Sequence, residues 1–132
     1  MTRCVFDTDV VIAALDRRDA HHGAAARLLA RMDEDDTAGL LSLVSYAETL
    51  VRPAEEDQAF RAAVGAIQAL GLRLIAPTPA IARDAARLRR SNISLADGFA
   101  LATARAYDAS LASFDRRVRR AVESAGVALA PA

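Results

Sequence analysis

Lysine is absent from this 132-residue chain; all 17 of its basic residues are arginine. That excludes chemistry built on a lysine ammonium, such as a phosphate-cradling P-loop or a Schiff base. Tryptophan is absent too, and the two tyrosines, Tyr46 and Tyr107, are too scattered for a stacking platform of the single-strand-binding kind. One cysteine, Cys4, excludes an internal disulfide and a cysteine-rich zinc module, and is expected in the core. The two histidines, His21 and His22, are adjacent and lack the spacing of a helical His–metal pair; they read as a polar loop or helix start. Net charge is zero, with 17 acidic residues against 17 basic ones, so a nucleic-acid partner would need a local patch. No apolar run reaches the roughly 18 residues of a membrane span. The first apolar run is broken by Asp7 and Asp9 before it could serve as a signal peptide. The expectation is a cytoplasmic protein with no membrane association.

What is present is globular. Apolar residues make up 53% and charged residues 26%, and the length suits one domain over residues 1–132. No repeat or Gly/Ser-rich linker divides the chain. Short apolar strands are predicted at Cys4–Phe6, Leu40–Val44, Leu72–Ile75, Ser110–Ala112 and Val127–Leu129. Helices are predicted from Thr8 to Leu15, Ala20 to Met32, Tyr46 to Val51, Glu55 to Leu70, Pro79 to Arg90, Leu95 to Tyr107 and Arg116 to Ser124, with Gly71 as a C-terminal stop. The stripes Phe60/Val64/Ile67 and Leu95/Phe99/Leu101 read as core. Short apolar strands alternating with helices imply an α/β fold with a parallel sheet covered on both faces. Ligands of such sheets bind beyond the carboxyl ends of the strands.

Four carboxylates fall at strand ends or helix starts: Asp7, Glu48, Asp97 and Asp115. Each has a purely structural alternative. Ser45-Tyr46-Ala47-Glu48 reads as a capping box in the first turn of its helix, and Ser94-Leu95-Ala96-Asp97 as a near match. Asp7 and Asp115 could cap the helices that follow them. Taken together, carboxylates beside the most apolar segments are costly to desolvate and raise one another's pKa unless a cation lies between them. Hard divalent cations, Mg²⁺ or Mn²⁺, suit such a set of oxygen ligands.

Four segments, in order, carry a family resemblance: Val5-Phe6-Asp7-Thr8-Asp9, Ser45-Tyr46-Ala47-Glu48-Thr49-Leu50, the run from Leu95 to Ala104, and Ser113-Phe114-Asp115. Together they resemble PIN-domain ribonucleases, and within these the VapC toxins of bacterial VapBC toxin–antitoxin pairs. The resemblance implies a PIN-like α/β/α sandwich with a small central parallel sheet. It implies Mg²⁺- or Mn²⁺-dependent endonucleolytic cleavage of RNA, a homodimer, and a small VapB-like antitoxin whose tail enters the active-site groove. Asp7, Glu48, Asp97 and Asp115 would be the metal-binding and catalytic acids, with Glu48 either a ligand or the group that holds and deprotonates the attacking water. Thr8, Asp9 and Ser113 would orient them from behind. Two positions depart from the family's pattern: Asp9 stands where Ser or Asn is usual, and Ser113 where Thr is commoner. Arg89, Arg90, Arg116 and Arg117 are candidates for gripping RNA phosphate; the alternative is a solvated helix face. Two other readings compete. Val5-Phe6-Asp7-Thr8-Asp9 also resembles the signature of haloacid-dehalogenase-type phosphatases, with Asp7 as nucleophile and Asp9 as general acid, although that family normally uses a downstream lysine. A PIN-like module that has lost activity would bind without cleaving.

Overall fold

Cys4, Val5 and Phe6 are buried in succession, so both faces of their strand are covered, as an apolar strand inside a parallel sheet requires. The computed structural model describes residues 2–130. Its elements run β1 (Arg3–Phe6), α1 (Thr8–Leu15), α2 (His22–Glu34), β2 (Ala38–Ser42), α3 (Leu43–Leu50), α4 (Asp57–Ala69), β3 (Arg73–Ile75), α5 (Pro79–Leu88), α6 (Leu95–Ala106), β4 (Ser110–Ala112) and α7 (Arg116–Ser124). Single 3₁₀ turns at Pro53–Glu55 and Arg89–Ser91 precede α4 and follow α5. Among the described residues, no helix is long and apolar enough to cross a membrane.

The four strands are parallel, in the order β3-β2-β1-β4. Val5 of β1 sits in register with Leu40 of β2 and Leu111 of β4. Alternate residues face opposite cores. Val5, Leu40 and Leu111 pack beneath α5, α6 and α7, whereas Cys4, Phe6, Leu41 and Ala112 pack beneath α1, α2 and α4. The chain builds outward from β1 through β2 to β3, then returns to lay β4 on the other side of β1. The strand order therefore reverses between β1 and β4, and that switch point is where open parallel sheets leave a crevice.

Several expectations change. The strand placed at Leu40–Val44 is Ala38–Ser42, because Ser42 ends it by accepting a hydrogen bond from Val44 N at 3.2 Å and starting α3 at Leu43. The capping box at Ser45 therefore does not exist. Ser45 is fully buried inside α3, and Glu48 lies in the second turn rather than the first. The helix expected from Glu55 begins at Asp57, capped by the Glu56 carboxylate, which accepts from Gln58 N and Ala59 N. The helix expected from Ala20 begins at His22 and runs on to Glu34. The strand expected at Val127–Leu129 is reduced to a single bridge between Leu111 and Leu129. Phe60 and Leu95, read as core, are 37% and 50% exposed. Cys4 is buried and Gly71, at φ 73°, stops α4 as expected.

Gly98 decides how closely α6 lies on α5. A Cβ there would stand 2.8 Å from the Ala85 carbonyl oxygen, on backbone that cannot step aside. Gly98→Ala should lower unfolding free energy by about 1–3 kcal/mol through overpacking. Gly65, inside α4 with nothing within 4 Å of the same atom, should instead gain about 0.5–1 kcal/mol as Gly65→Ala. Chemical denaturation of the two variants would give opposite signs.

Candidate active site

Asp7 closes β1 and opens α1. Its Oδ1 accepts from Thr8 N at 2.9 Å, and its Oδ2 accepts from Ser113 Oγ at 2.7 Å. Its own N–H donates to the Ala112 carbonyl at 2.9 Å, continuing the β1–β4 ladder one residue past the strand. The carboxylate is only 2% exposed. Ser113 passes the chain of contacts on: its Oγ accepts from Asp115 N at 3.1 Å. Asp115 caps α7, its Oδ1 accepting from Arg117 N at 2.8 Å and Val118 N at 3.4 Å. Asp97 belongs to a reciprocal capping box at the start of α6. Ser94 Oγ accepts from Asp97 N at 3.1 Å, and Asp97 Oδ2 accepts from Ser94 N at 3.2 Å. Each of these three acids therefore fulfils the structural alternative and also reaches the crevice.

Asp9 has a role that no motif announces. Its Oδ2 accepts from Phe114 N at 3.0 Å, tying α1 to the β4–α7 loop. Arg119 holds the same loop from the other side, donating from Nη1 to the Ser113 carbonyl at 3.0 Å. Sequence could not show either tie, because both depend on elements about a hundred residues apart meeting or on a side chain folding back along its helix. Glu48 makes no capping contact and approaches from α3, exposed.

Five carboxylates, from Asp7, Asp9, Glu48, Asp97 and Asp115, line one cleft of about 380 Å³ together with Thr8, Ile12 and Ser94. Ser113 stands behind them, buried. As they stand, no three of these groups form a closed cation cage among the described residues. Their repulsion is nonetheless felt. Burial raises the Asp7 pKa from 3.8 to about 8, reinforced by the Asp97 and Asp9 charges and opposed by the hydrogen bonds from Ser113 and Thr8. Burial also raises Asp9, to about 6, against the hydrogen bond from Phe114 and with Asp115 and Asp97 adding to the rise. Two buried oxygens of the cleft residues, Thr8 Oγ1 and Asp9 Oδ1, have no hydrogen-bond partner.

The candidate arginines lie nearby and exposed. Arg116 and Arg117 follow Asp115 in the first turn of α7, and Arg89 and Arg90 form the 3₁₀ turn shortly before Ser94. Among the described residues, the ion pairs are Arg18–Asp16 and Arg105–Asp84, and none involves these four.

A family model for the PIN domain matches residues 4–123. The chain belongs to the PIN-domain family. Its fold is that of several solved PIN proteins. The toxin VapC20 of Mycobacterium tuberculosis, described as cleaving the sarcin–ricin loop, matches with TM-score 0.73 and 23% identity, covering 89% of this chain and 94% of that one. FitAcB of Neisseria gonorrhoeae matches with TM-score 0.71 and 20% identity over 97% and 96%. VapBC-1 of nontypeable Haemophilus influenzae matches with TM-score 0.70 and 14% identity over the same shares, 97% and 96%. No curated protein matches significantly by sequence. The phosphatase reading needs Asp9 free as a general acid; in this PIN fold Asp9 Oδ2 is engaged by Phe114 N.

A carboxyl whose folded pKa lies above its unfolded value binds protons more tightly when folded, so stability falls as pH rises between the two. For metal-free protein that window runs from 3.8 to about 8 for Asp7. The thermal midpoint measured in EDTA should therefore decline across this range, and Asp7→Asn should flatten the decline. A wild-type profile already flat would contradict the assigned burial of charge.

Proposed function

We propose that this PIN domain is a Mg²⁺- or Mn²⁺-dependent endoribonuclease acting as the toxin of a type II toxin–antitoxin pair. The observation that carries the reading is the meeting of five carboxylates in one cleft, the deepest of them, Asp7, raised to about 8 by burial and by its neighbours. A fold that needed only helix caps had no reason to gather like charges.

The residues fit a hard divalent cation. Every donor is oxygen, the site carries excess negative charge, and Asp9 Oδ1 is buried with no partner. An open arrangement suits Mg²⁺, which retains several waters and is commonly bound through only one or two carboxylates. Asp7, Asp97 and Asp115 would hold the ion directly or through water. When bound, it would offset charge on the phosphate and the leaving oxygen and ease ionisation of water. Glu48, exposed on α3 and free of capping duty, is placed to hold the attacking water and accept its proton. Ser113, by donating to Asp7 Oδ2, turns the other oxygen of that carboxylate toward Thr8 N and fixes its plane.

Arg116 and Arg117 support RNA as the substrate. They sit at the positive end of the α7 dipole, where cations are disfavoured, and no acid offsets them in that turn. Phosphate would offset both costs. An apolar groove of about 390 Å³ supports the antitoxin partner. It runs between α1 and α4, lined by Leu15, Pro53, Ala62 and Ala63, and shares Ile12 and Glu48 with the acidic cleft. A VapB-like tail lying in this groove would reach the acids. Homodimerisation, in the cytoplasm, completes the reading.

Purified protein should cut cellular RNA at discrete sites with Mg²⁺ or Mn²⁺ and not in EDTA. Asp97→Asn keeps an acceptor for the α6 capping box, so it should fold normally and lose cleavage by at least about a hundredfold. Equal products from both proteins would overturn the assignment. Separately, replacing Arg116 and Arg117 together should weaken RNA binding and lower the slope of log affinity against log salt by about 2. An unchanged slope would return both side chains to the solvent.

A further inference from the structure

His21 and Phe114 are stacked, with ring centroids 4.4 Å apart and planes inclined by 12°. One ring comes from the α1–α2 connection and the other from the β4–α7 loop, so the pair bridges two segments far apart in sequence. Resting on the ribonuclease reading, we propose that this pair is a shelf on which an unpaired nucleobase beside the scissile phosphate stacks, with His21 as a specificity-determining residue.

Position comes first. Phe114 lies between Ser113, which bonds Asp7, and Asp115, which lines the cleft; its N–H donates to Asp9. The shelf is thus one residue from the acids, on the side where Arg116 and Arg117 begin α7. A base on it would bring its phosphates between the carboxylates and these exposed arginines.

Rigidity comes second. The loop bearing Phe114 is held by the Asp9, Ser113 and Arg119 contacts. The connection bearing His21 is held by its own N–H donating to Asp19 Oδ1 at 2.8 Å, and by the His22 Nδ1 contact with the Ala13 carbonyl at 2.8 Å. Both rings are positioned by their backbones before any ligand arrives, which lowers the entropic cost of binding.

Chemistry comes third. His21 occupies the N-cap position of α2 but makes no capping hydrogen bond with its side chain. Among the described residues, its ring has no hydrogen-bond or ion-pair partner, and the residue is exposed although one face rests on Phe114. A capping role is what Ser, Asp or Asn would fill better. A flat ring with one face supported and the rest open is suited to extending the stack. Bases of any identity can use such a face, and the neighbouring edges of the cleft then choose among them.

The test begins by mapping the cut in cellular RNA and making a short single-stranded oligoribonucleotide that spans it. Steady-state cleavage is compared for wild type, His21→Leu and His21→Phe, after thermal melts show that all three fold. Leu keeps the apolar contact with Phe114 and removes the ring; Phe restores a ring without the imidazole. KM should rise about tenfold for His21→Leu with kcat retained, and return toward wild type for His21→Phe. Replacing one flanking nucleotide by an abasic residue should raise KM for wild type and have no further effect on His21→Leu. If His21→Leu matches wild type on the intact oligonucleotide, the shelf is overturned while the nuclease stands. If wild type cuts no RNA with either metal, the nuclease reading and the shelf fall together.

Discussion

The Asp7 carboxylate is the constraint around which the molecule is arranged. It ends a central strand, is almost wholly buried, and has the acids Asp9 and Asp97 as neighbours. A charge in that position is tolerable only if its oxygens are engaged, and they are, by Thr8 N and Ser113 Oγ. The second contact requires β4 to lie beside β1, and therefore requires the chain to reverse its direction of sheet growth after β3. Topology and site are then one problem: the strand order that satisfies Asp7 is the order that opens a crevice next to it.

The loop from Ser113 to Asp115 is the second half of that arrangement. It receives a carboxylate from α1, a guanidinium from α7 and an imidazole from the α1–α2 connection. Asp115 could cap α7 without any of these ties. With them its backbone is fixed relative to Asp7, which is what a site built from separate elements needs. Asp9, the position that departs from the family's usual Ser or Asn, is the anchor on the α1 side. A longer-reaching acceptor at that place holds the loop and adds another charge to the cleft.

Much of this was legible in the sequence, for local reasons. Apolar strands bounded by Asp7 and Ser113 show β1 and β4, and Ser94 with Asp97 carries a cap whose partners are three residues apart. The four acids, with Thr8, Asp9 and Ser113, meet where the strand-end argument places them. What escaped was decided by competition between neighbours or by contacts across the fold. Ser42 and Ser45 are both plausible caps; Ser42 wins because the β2 pairing with β3 runs through it and releases the chain into α3 only at Leu43. That choice moved Glu48 a turn deeper and left Ser45 Oγ buried without a partner. Apolar content alone could not separate Leu43 and Val44 from the strand before them. The pairing of His21 with Phe114 spans most of the chain and leaves no local trace.

The helix starts at Asp7, Asp97 and Asp115 have a bearing on how such a site could decay. Asparagine or serine caps a helix about as well as aspartate does, and brings no repulsion. At each of these positions a neutral replacement would leave the helix anchored and the cleft less crowded with charge. The route to an inert, more stable copy is therefore open one substitution at a time, with folding offering no resistance. The fold alone does not keep these side chains acidic; only what the acids do could hold them there.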